Sequence, residues 1–334
     1  MKPKIQKIFI LFFLSLQILL LNIILPDNEL SNNPQNNDTQ KKSQNESLFF
    51  RIGFLQTDSG QELGFDWYEN IRRNLESDKD VDVALESEGF SGIVILPADG
   101  WRDMVQRMDH NEFDMAFCSA EIYVEQQGDY EPVLQLRRSR DIWGRGKVLQ
   151  KGVIWVNYKS PLFSKNNPSN EEIKKYIESQ PMAFVSSHSA PGYIYPRLKL
   201  FRDYSIIQPS NFTFCGSSEE VVKYLVNGLV EVGACENGVV EEVLKKNGIE
   251  NYQDQLLKKL FETELLPTDP VCILKKWTPE KNKLGRVLAN TLKKIHSLAP
   301  ANVPRLETSY SDFYKNLYEE MGAFKSLRVS SKVK

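Results

Sequence analysis

Residues 113–123 read FDMAFCSAEIY. The run Met115-Ala116-Phe117-Cys118 is apolar without alternation and stops at Ser119, after which a charge appears at Glu121. A short unbroken apolar run closed by serine predicts a strand over 114–118, buried on both faces, that turns directly into a helix over 119–127. Working back along the chain, 92–97 (GIVILP) is a second such run, with a helix expected over 99–108. A third, 48–55 (LFFRIGFL), precedes a helix over 61–76 in which Leu63, Trp67, Ile71 and Leu75 recur at helical spacing. Strand, helix, strand, helix, strand with short apolar strands is the signature of a parallel α/β sheet.

Working forward, longer strands are expected over 131–137 and 148–157, the second crossing into another lobe. The capping box of Ser169 and Glu172 opens a helix in SNEEIKKYIES. Strands over 182–186, 212–215 and 230–235 then alternate with helices over 191–201, 218–227 and 239–246, giving a second α/β unit. Strands over 257–265 and 271–276 read as the return crossing. Helices over 279–297 and 310–321 are expected to pack on the first lobe. The reading is therefore two lobes, 49–150 with 268–324 and 151–267, joined by two crossing strands. That geometry suits a hinged clamp.

The segment before the first strand reads differently. Lys2, Lys4 and Lys7 precede an uncharged run, 8–25, broken only by Ser15, Gln17 and Asn22. This is a signal-type layout, and its length also matches a helix that spans a membrane, since about 20 apolar residues suffice. No alanine or glycine precedes Gly53 to make a small-residue cleavage site. An uncleaved hydrophobic anchor helix over 1–25 and a cleaved signal both stand, and the lysines place the remaining chain outside the cytoplasm in either case. Residues 26–48, mostly Asn, Gln and Ser, are expected to be a disordered tether. Residues 325–334 are expected to be a frayed basic tail.

Composition narrows the function. Lys plus Arg is 42 against 44 for Asp plus Glu, so no nucleic-acid partner is expected. Three histidines without HExxH, and four cysteines without a CxxC pair, predict no metal site. The phosphate-cradling and nucleophile-elbow glycine motifs are absent, and the carboxylates are scattered, so neither a cofactor nor catalysis is expected. In open α/β sheets ligands lie beyond the carboxyl ends of the strands. The residues there are Gln56 to Asp58, Cys118 to Glu121, Ser186 to Ser189, Cys215 to Ser218, and Cys235 to Asn237. Serine-rich turns running into helices present free N–H groups to a small anion.

One of these turns, 189–196 (SAPGYIYP), resembles the Ser-x-Ser-Gly-Tyr-x-x-Pro helix start of the phosphate/phosphite/phosphonate class of ABC-transporter substrate-binding proteins. In the same order, 113–123 resembles that family's Asp-x-Ala…Tyr segment, and 215–222 (CGSSEEVV) its Gly-Ser-His-Asp-x-Val segment. Residues 227–235 (NGLVEVGAC) resemble Asn-Gly-x-x-Asp-x-Gly-Ala, and 266–271 (LPTDPV) resemble Ile-Pro-x-Asp-Pro-Ile. The resemblance implies a type II periplasmic-binding fold closing on a tetrahedral oxyanion. It further implies that Ser189 and the amides at 189–192, Ala190 among them, hold the anion and that Tyr123 donates a hydroxyl. Gln56 and Thr57 would line the first loop, and Asp269 would face the ligand's far side. Ser119, Ser187, His188, Ser217, Ser218 and Glu236 complete the expected ligand shell. Two positions depart from the pattern: Pro191 stands for the second serine, removing a hydroxyl and an N–H, and Ser218 stands for the histidine.

Three cysteines, Cys118, Cys215 and Cys235, fall at strand ends facing the expected cleft. A Cys215–Cys235 disulfide, small buried side chains, and a thiolate site for a thiophilic ligand such as arsenite all remain open. The functional expectation is a solute-binding protein for a small oxyanion, periplasmic or at the cell surface, working with a transporter permease. The alternative is a membrane-tethered module that reports ligand to a sensor protein.

Overall fold

The computed structural model describes residues 48–56, 65–140, 146–147, 149–249, 256–297 and 305–332. The expected anchor, nearly all of the tether and Thr57 lie outside them. Among the described residues no helix is long and apolar enough to cross a membrane.

The chain runs β1 (Leu48–Gln56), α1 (Phe65–Glu76), α2 (Lys79–Ser87), β2 (Phe90–Asp99), α3 (Gly100–Asp109), β3 (Met115–Phe117), α4 (Ala120–Gln126) and β4 (Tyr130–Arg140). The short strands β5 (Gly146–Lys147) and β6 (Leu149–Gln150) lead to β7 (Gly152–Asn157), α5 (Asn170–Ser179) and β8 (Pro181–Phe184). A π-helical turn, Ala190–Ile194, enters α6 (Tyr195–Tyr204), and then come β9 (Asn211–Phe214), α7 (Ser218–Val226), β10 (Val232–Glu236) and α8 (Val239–Lys246). The return passes through β11 (Leu257–Glu262), β12 (Leu266–Pro267) and β13 (Pro270–Leu274), and ends in α9 (Lys283–Ser297), β14 (Arg305–Thr308) and α10 (Lys315–Lys332).

Two sheets organise these elements. The first has the order β14-β4-β13-β3-β1-β2, with β5 paired to β4, and the second has the order β11-β7-β10-β8-β9. Each sheet with its helices forms one lobe of a type II periplasmic-binding fold. The parallel arrangement expected for the first unit holds for β2, β1 and β3. It does not hold for the rest of that sheet, because β13 returns from the other lobe and enters antiparallel between β3 and β4. Every residue of β3, β7 and β13 is buried. Their unbroken apolar runs are thus explained by burial on both faces.

The crossings differ from long continuous strands. The stretch expected as one strand, 148–157, breaks at Lys151, and 257–265 stops being strand after Glu262. Between the sheets β6 and β12 pair as a two-stranded antiparallel ribbon, Leu266 opposite Gln150 and Pro267 opposite Leu149. Helix α2 was not expected from the sequence. Asp78 caps it by accepting from the Asp80 N–H, and Val81, Ala84 and Leu85 are buried. Its apolar spacing is blurred by Val83, which is 55% exposed. The expected frayed tail is instead helical through Lys332, with Phe324 and Leu327 buried.

That last helix also touches both lobes rather than one. Lys325 pairs with Glu125 of α4 at 3.1 Å, while Glu320 pairs with Arg202 of α6 at 2.7 Å. The rings of Phe324 and Tyr193 meet edge to face at 5.5 Å.

Gly152, at the start of β7, lets the backbone of the Ser189 turn approach: a Cβ there would lie 2.3 Å from the Pro191 carbonyl oxygen. Because the obstacle is backbone, it cannot swing aside. The G152A substitution is expected to cost about 1–3 kcal/mol, lowering the melting temperature by several degrees in a calorimetric scan. An unchanged melting temperature would show that the turn is free to move away.

Candidate functional site

Five of the expected residues, Ser119, Asp269, Ser187, His188 and Ser189, lie in the turns after β3 and β8 or bonded to them, and the two turns meet through Glu121 and Ala190. On the first lobe, Ser119 caps α4, its Oγ accepting from the Ile122 N–H at 3.4 Å. Asp269, between β12 and β13, accepts from the Ala120 N–H at 3.4 Å through Oδ1. Serine and a carboxylate at a helix start satisfy N–H groups that have no partner inside the helix.

On the second lobe, Ser189 does the same for the π-helical turn: its Oγ accepts from the Gly192 N–H at 3.1 Å. The Ser189 N–H donates to the Ser186 carbonyl at 3.3 Å. The Ala190 N–H donates to Oε1 of Glu121, which comes from α4 on the opposite lobe. Ser187 Oγ lies 3.1 Å from Nδ1 of His188, whose ring stacks on Trp101 of α3 at 4.1 Å between centroids. Trp101 Nε1 is buried without a hydrogen-bond partner among the described residues. These two contacts, Glu121 to Ala190 and Trp101 to His188, bridge the lobes.

Other expected residues are placed as follows. Ser217 caps α7, accepting from the Glu220 N–H at 3.2 Å. Ser218 Oγ accepts from the Glu236 N–H at 3.3 Å, tying the end of β10 to the start of α7. Gln56 ends β1 opposite Asp99 of β2. Tyr123 is only 1% exposed and packs edge to face on Tyr314 at 4.9 Å, inside the first lobe's core.

All four cysteines are free. Cys235 is fully buried, and burial pushes its thiol upward; burial pushes the Cys215 thiol up to about 11. Desolvation thus disfavours both thiolates. The close pair is a different one: Sγ of Cys118 and Sγ of Cys272 lie 3.8 Å apart in the first lobe.

Sequence reasoning placed Glu121 in the turn after β3 without giving it a specific role, and did not single out Trp101. An acidic residue in a helix's first turn reads as a partner for the helix dipole, so Glu121 carried no distinguishing signal. Trp101 did carry one, a large aromatic directly after the second strand.

Glu121 has the most perturbed carboxyl of the site. Desolvation, then the neighbouring Asp269 carboxylate, push it up to about 7, against the opposing pull of the Ala190 N–H and the Ser119 hydroxyl. Like charges and burial both disfavour the ionised form.

A model of the family described as ABC transporter, phosphonate, periplasmic substrate-binding protein matches residues 83–306. The chain belongs to this family. A sequence search of curated proteins finds no match. Among solved structures, a binding-protein component of an ABC phosphonate transporter from Pseudomonas aeruginosa superposes with TM-score 0.58 at 13% identity, covering 85% of this chain and 89% of that one. PhnD1 from Prochlorococcus marinus, solved with methylphosphonate, gives 0.57 at 18% identity, covering 83% and 98%. A Xanthomonas citri protein solved with ATP gives 0.57 at 17%, covering 84% and 98%. At these identities the likeness shows the shared two-lobed fold. As a family member the protein is an extracytoplasmic substrate-binding protein of an ABC transporter.

The raised Glu121 carboxyl couples pH to stability. The unfolded carboxyl titrates near 4.5 and the folded one near 7. The unfolded chain therefore loses this proton first as pH rises. The contribution is complete below about pH 4.5 and is lost as pH rises through about 7, roughly 3 kcal/mol in all. Melting temperatures between pH 5 and 8 should fall for the wild type, and the fall should flatten in E121Q. Parallel curves for the two proteins would remove Glu121 as the cause.

Proposed function

We propose that the protein captures a small tetrahedral oxyanion, phosphonate-, phosphite- or phosphate-like, between its lobes and presents it to the permease of an ABC transporter. The observation that carries this reading is the Ser189 turn. It opens a helical stretch running to Tyr204, and it faces the start of α4 across the junction of the lobes. A helix start combines N–H donors with the positive end of the backbone dipole. The hydroxyls of Ser119, Ser187 and Ser189 add donors, Ser217 and Ser218 line the neighbouring turn, and His188 lies beside Ser189. Asp269 and Glu236 supply carboxylates for a cationic or protonated part of the ligand. Tyr123 reaches the ligand only if the core around Tyr314 rearranges.

Capture would proceed by hinge closure of lobes 49–150 with 268–324 and 151–267, bending at the β6–β12 ribbon. The relatives solved with methylphosphonate and ATP support a phosphorus oxyanion as cargo. The apolar run 8–25 behind three lysines supports attachment of the folded part to the outer face of the membrane. The thiophilic alternative has less support, because Cys118 and Cys235 are buried and burial pushes the Cys215 and Cys235 thiols upward.

A thermal-shift panel on the purified protein tests this with phosphate, phosphite, methylphosphonate, 2-aminoethylphosphonate and, with and without reductant, arsenite. Ligand at about 100 times its dissociation constant adds roughly 2.7 kcal/mol, a rise of several degrees. The S189A substitution should abolish that rise, beyond the loss of about 1 kcal/mol expected from its cap. A shift with arsenite alone, dependent on reductant, would replace the oxyanion reading with the thiolate one. No shift with any compound would overturn both.

A further inference from the structure

The amides that the anion needs are already committed within the chain. Of the positions 189–192, Ser189 donates to the Ser186 carbonyl, Pro191 has no N–H, and Gly192 donates to the Ser189 hydroxyl. Only the Ala190 N–H points out of the turn, and it donates to Glu121 from the other lobe. Glu121 is 6% exposed, so this is a contact inside the junction of the lobes rather than a surface pair. A carboxylate oxygen at a helix-start N–H stands in the same chemical relation as one oxygen of a phosphonate. On the first lobe the Ala120 N–H is likewise taken by a carboxylate of the chain, that of Asp269.

Building on the oxyanion reading, we propose that Glu121 is an internal ligand: its carboxyl takes the place of one oxygen of the anion at the Ala190 N–H, draws the lobes together without cargo, and must be displaced when cargo binds. Glu121 is not needed to cap its own helix, since Ser119 already does so. The neighbours that face Glu121 are consistent with this role. The Ser119 hydroxyl steadies the carboxyl, and the Asp269 carboxylate opposes its charge. Tyr195, from α6, is buried with a hydroxyl that has no hydrogen-bond partner among the described residues, and Glu121 is the weakest of the charges that act on it, after Glu320, Glu264 and Arg202. The consequence for affinity is that of a protein whose binding-competent form is only partly populated: the apparent dissociation constant rises by the reciprocal of that fraction.

The test compares wild type, E121A, E121Q and A190P, each as purified full chain, by two measurements. Hydrogen exchange without ligand reads the closed contact in peptides covering 189–194 and 99–104. Titration calorimetry with methylphosphonate reads the competition. E121A should speed exchange in both peptides by about ten-fold or more while tightening methylphosphonate binding by a similar factor. E121Q keeps an acceptor oxygen and should retain the wild-type protection. A190P removes the donor at a helix position that tolerates proline, so it should lose protection with Glu121 intact and also lose anion binding. This second route holds if E121A folds poorly.

Unchanged exchange in E121A and A190P would overturn the proposal, as would weaker methylphosphonate binding in E121A, which would make Glu121 an ordinary contact to the ligand. Faster local exchange with no phosphorus oxyanion bound by any variant would leave the internal contact standing and sink the oxyanion reading instead. Exchange that quickens equally in every peptide of both variants reports general destabilisation and overturns the internal ligand.

Discussion

The chain passes between its two sheets twice, and both passages are held side by side by a ribbon of two residues on each strand, Leu149–Gln150 against Leu266–Pro267. Much of the arrangement follows from that pairing. On one side it leaves β7 and β11 adjacent in the second sheet, and on the other it leaves β4 and β13 adjacent in the first. Because β13 then enters from the junction, it runs against β3 and delivers Asp269 to the start of α4. So short a ribbon, with Pro267 contributing no N–H, carries few hydrogen bonds. It sets the direction of the crossings.

What keeps the lobes together must therefore come from contacts across the junction, and these differ in strength. The Arg202–Glu320 pair is bidentate, but Arg202 is 45% exposed. A pair of that kind contributes about 0–1 kcal/mol. The stack of Trp101 on His188 adds roughly 0.5–1.5 kcal/mol beyond its buried area. A buried hydrogen bond to an ionised group is worth about 1.5–3 kcal/mol, which makes the Glu121 contact the strongest of these three when its carboxyl is charged. Burial opposes that charge, so the link and its cost lie in the same group.

The fold was legible where apolar runs were unbroken. Met115–Phe117, Gly152–Asn157 and Pro270–Leu274 are buried along their whole length, and such runs read as central strands. Helix α2 was not legible, because an exposed Val83 shares its short span with the buried Val81 and Ala84. The antiparallel entry of β13 was hidden too, since strand direction is set by the crossing and leaves no mark on composition. At the site, the serine caps could be read because a helix start selects for them: Ser119, Ser189 and Ser217 all accept from N–H groups of the turns they open. The partner of a cap's neighbour cannot be read in this way. Glu121 bonds a residue 69 positions along the chain, and only the folded geometry brings the two together.

The two departures from the family pattern and the presence of Glu121 fit one physical account. A turn with several outward N–H groups and a histidine needs a multiply charged guest, because buried donors left unpaired cost more than a hydrogen bond returns. Here Pro191 has no N–H, and Ser218 turns its hydroxyl to the Glu236 backbone N–H. The outward demand of the 189–192 turn falls to a single donor at Ala190. One carboxyl oxygen is enough to satisfy it, and Glu121 is in position to supply that oxygen. Restoring donors while keeping Glu121 would leave N–H groups unmet; removing Glu121 while keeping Pro191 leaves one N–H for water. The missing donors and the Glu121 carboxyl are thus complementary: the one outward N–H of the turn meets one acceptor oxygen.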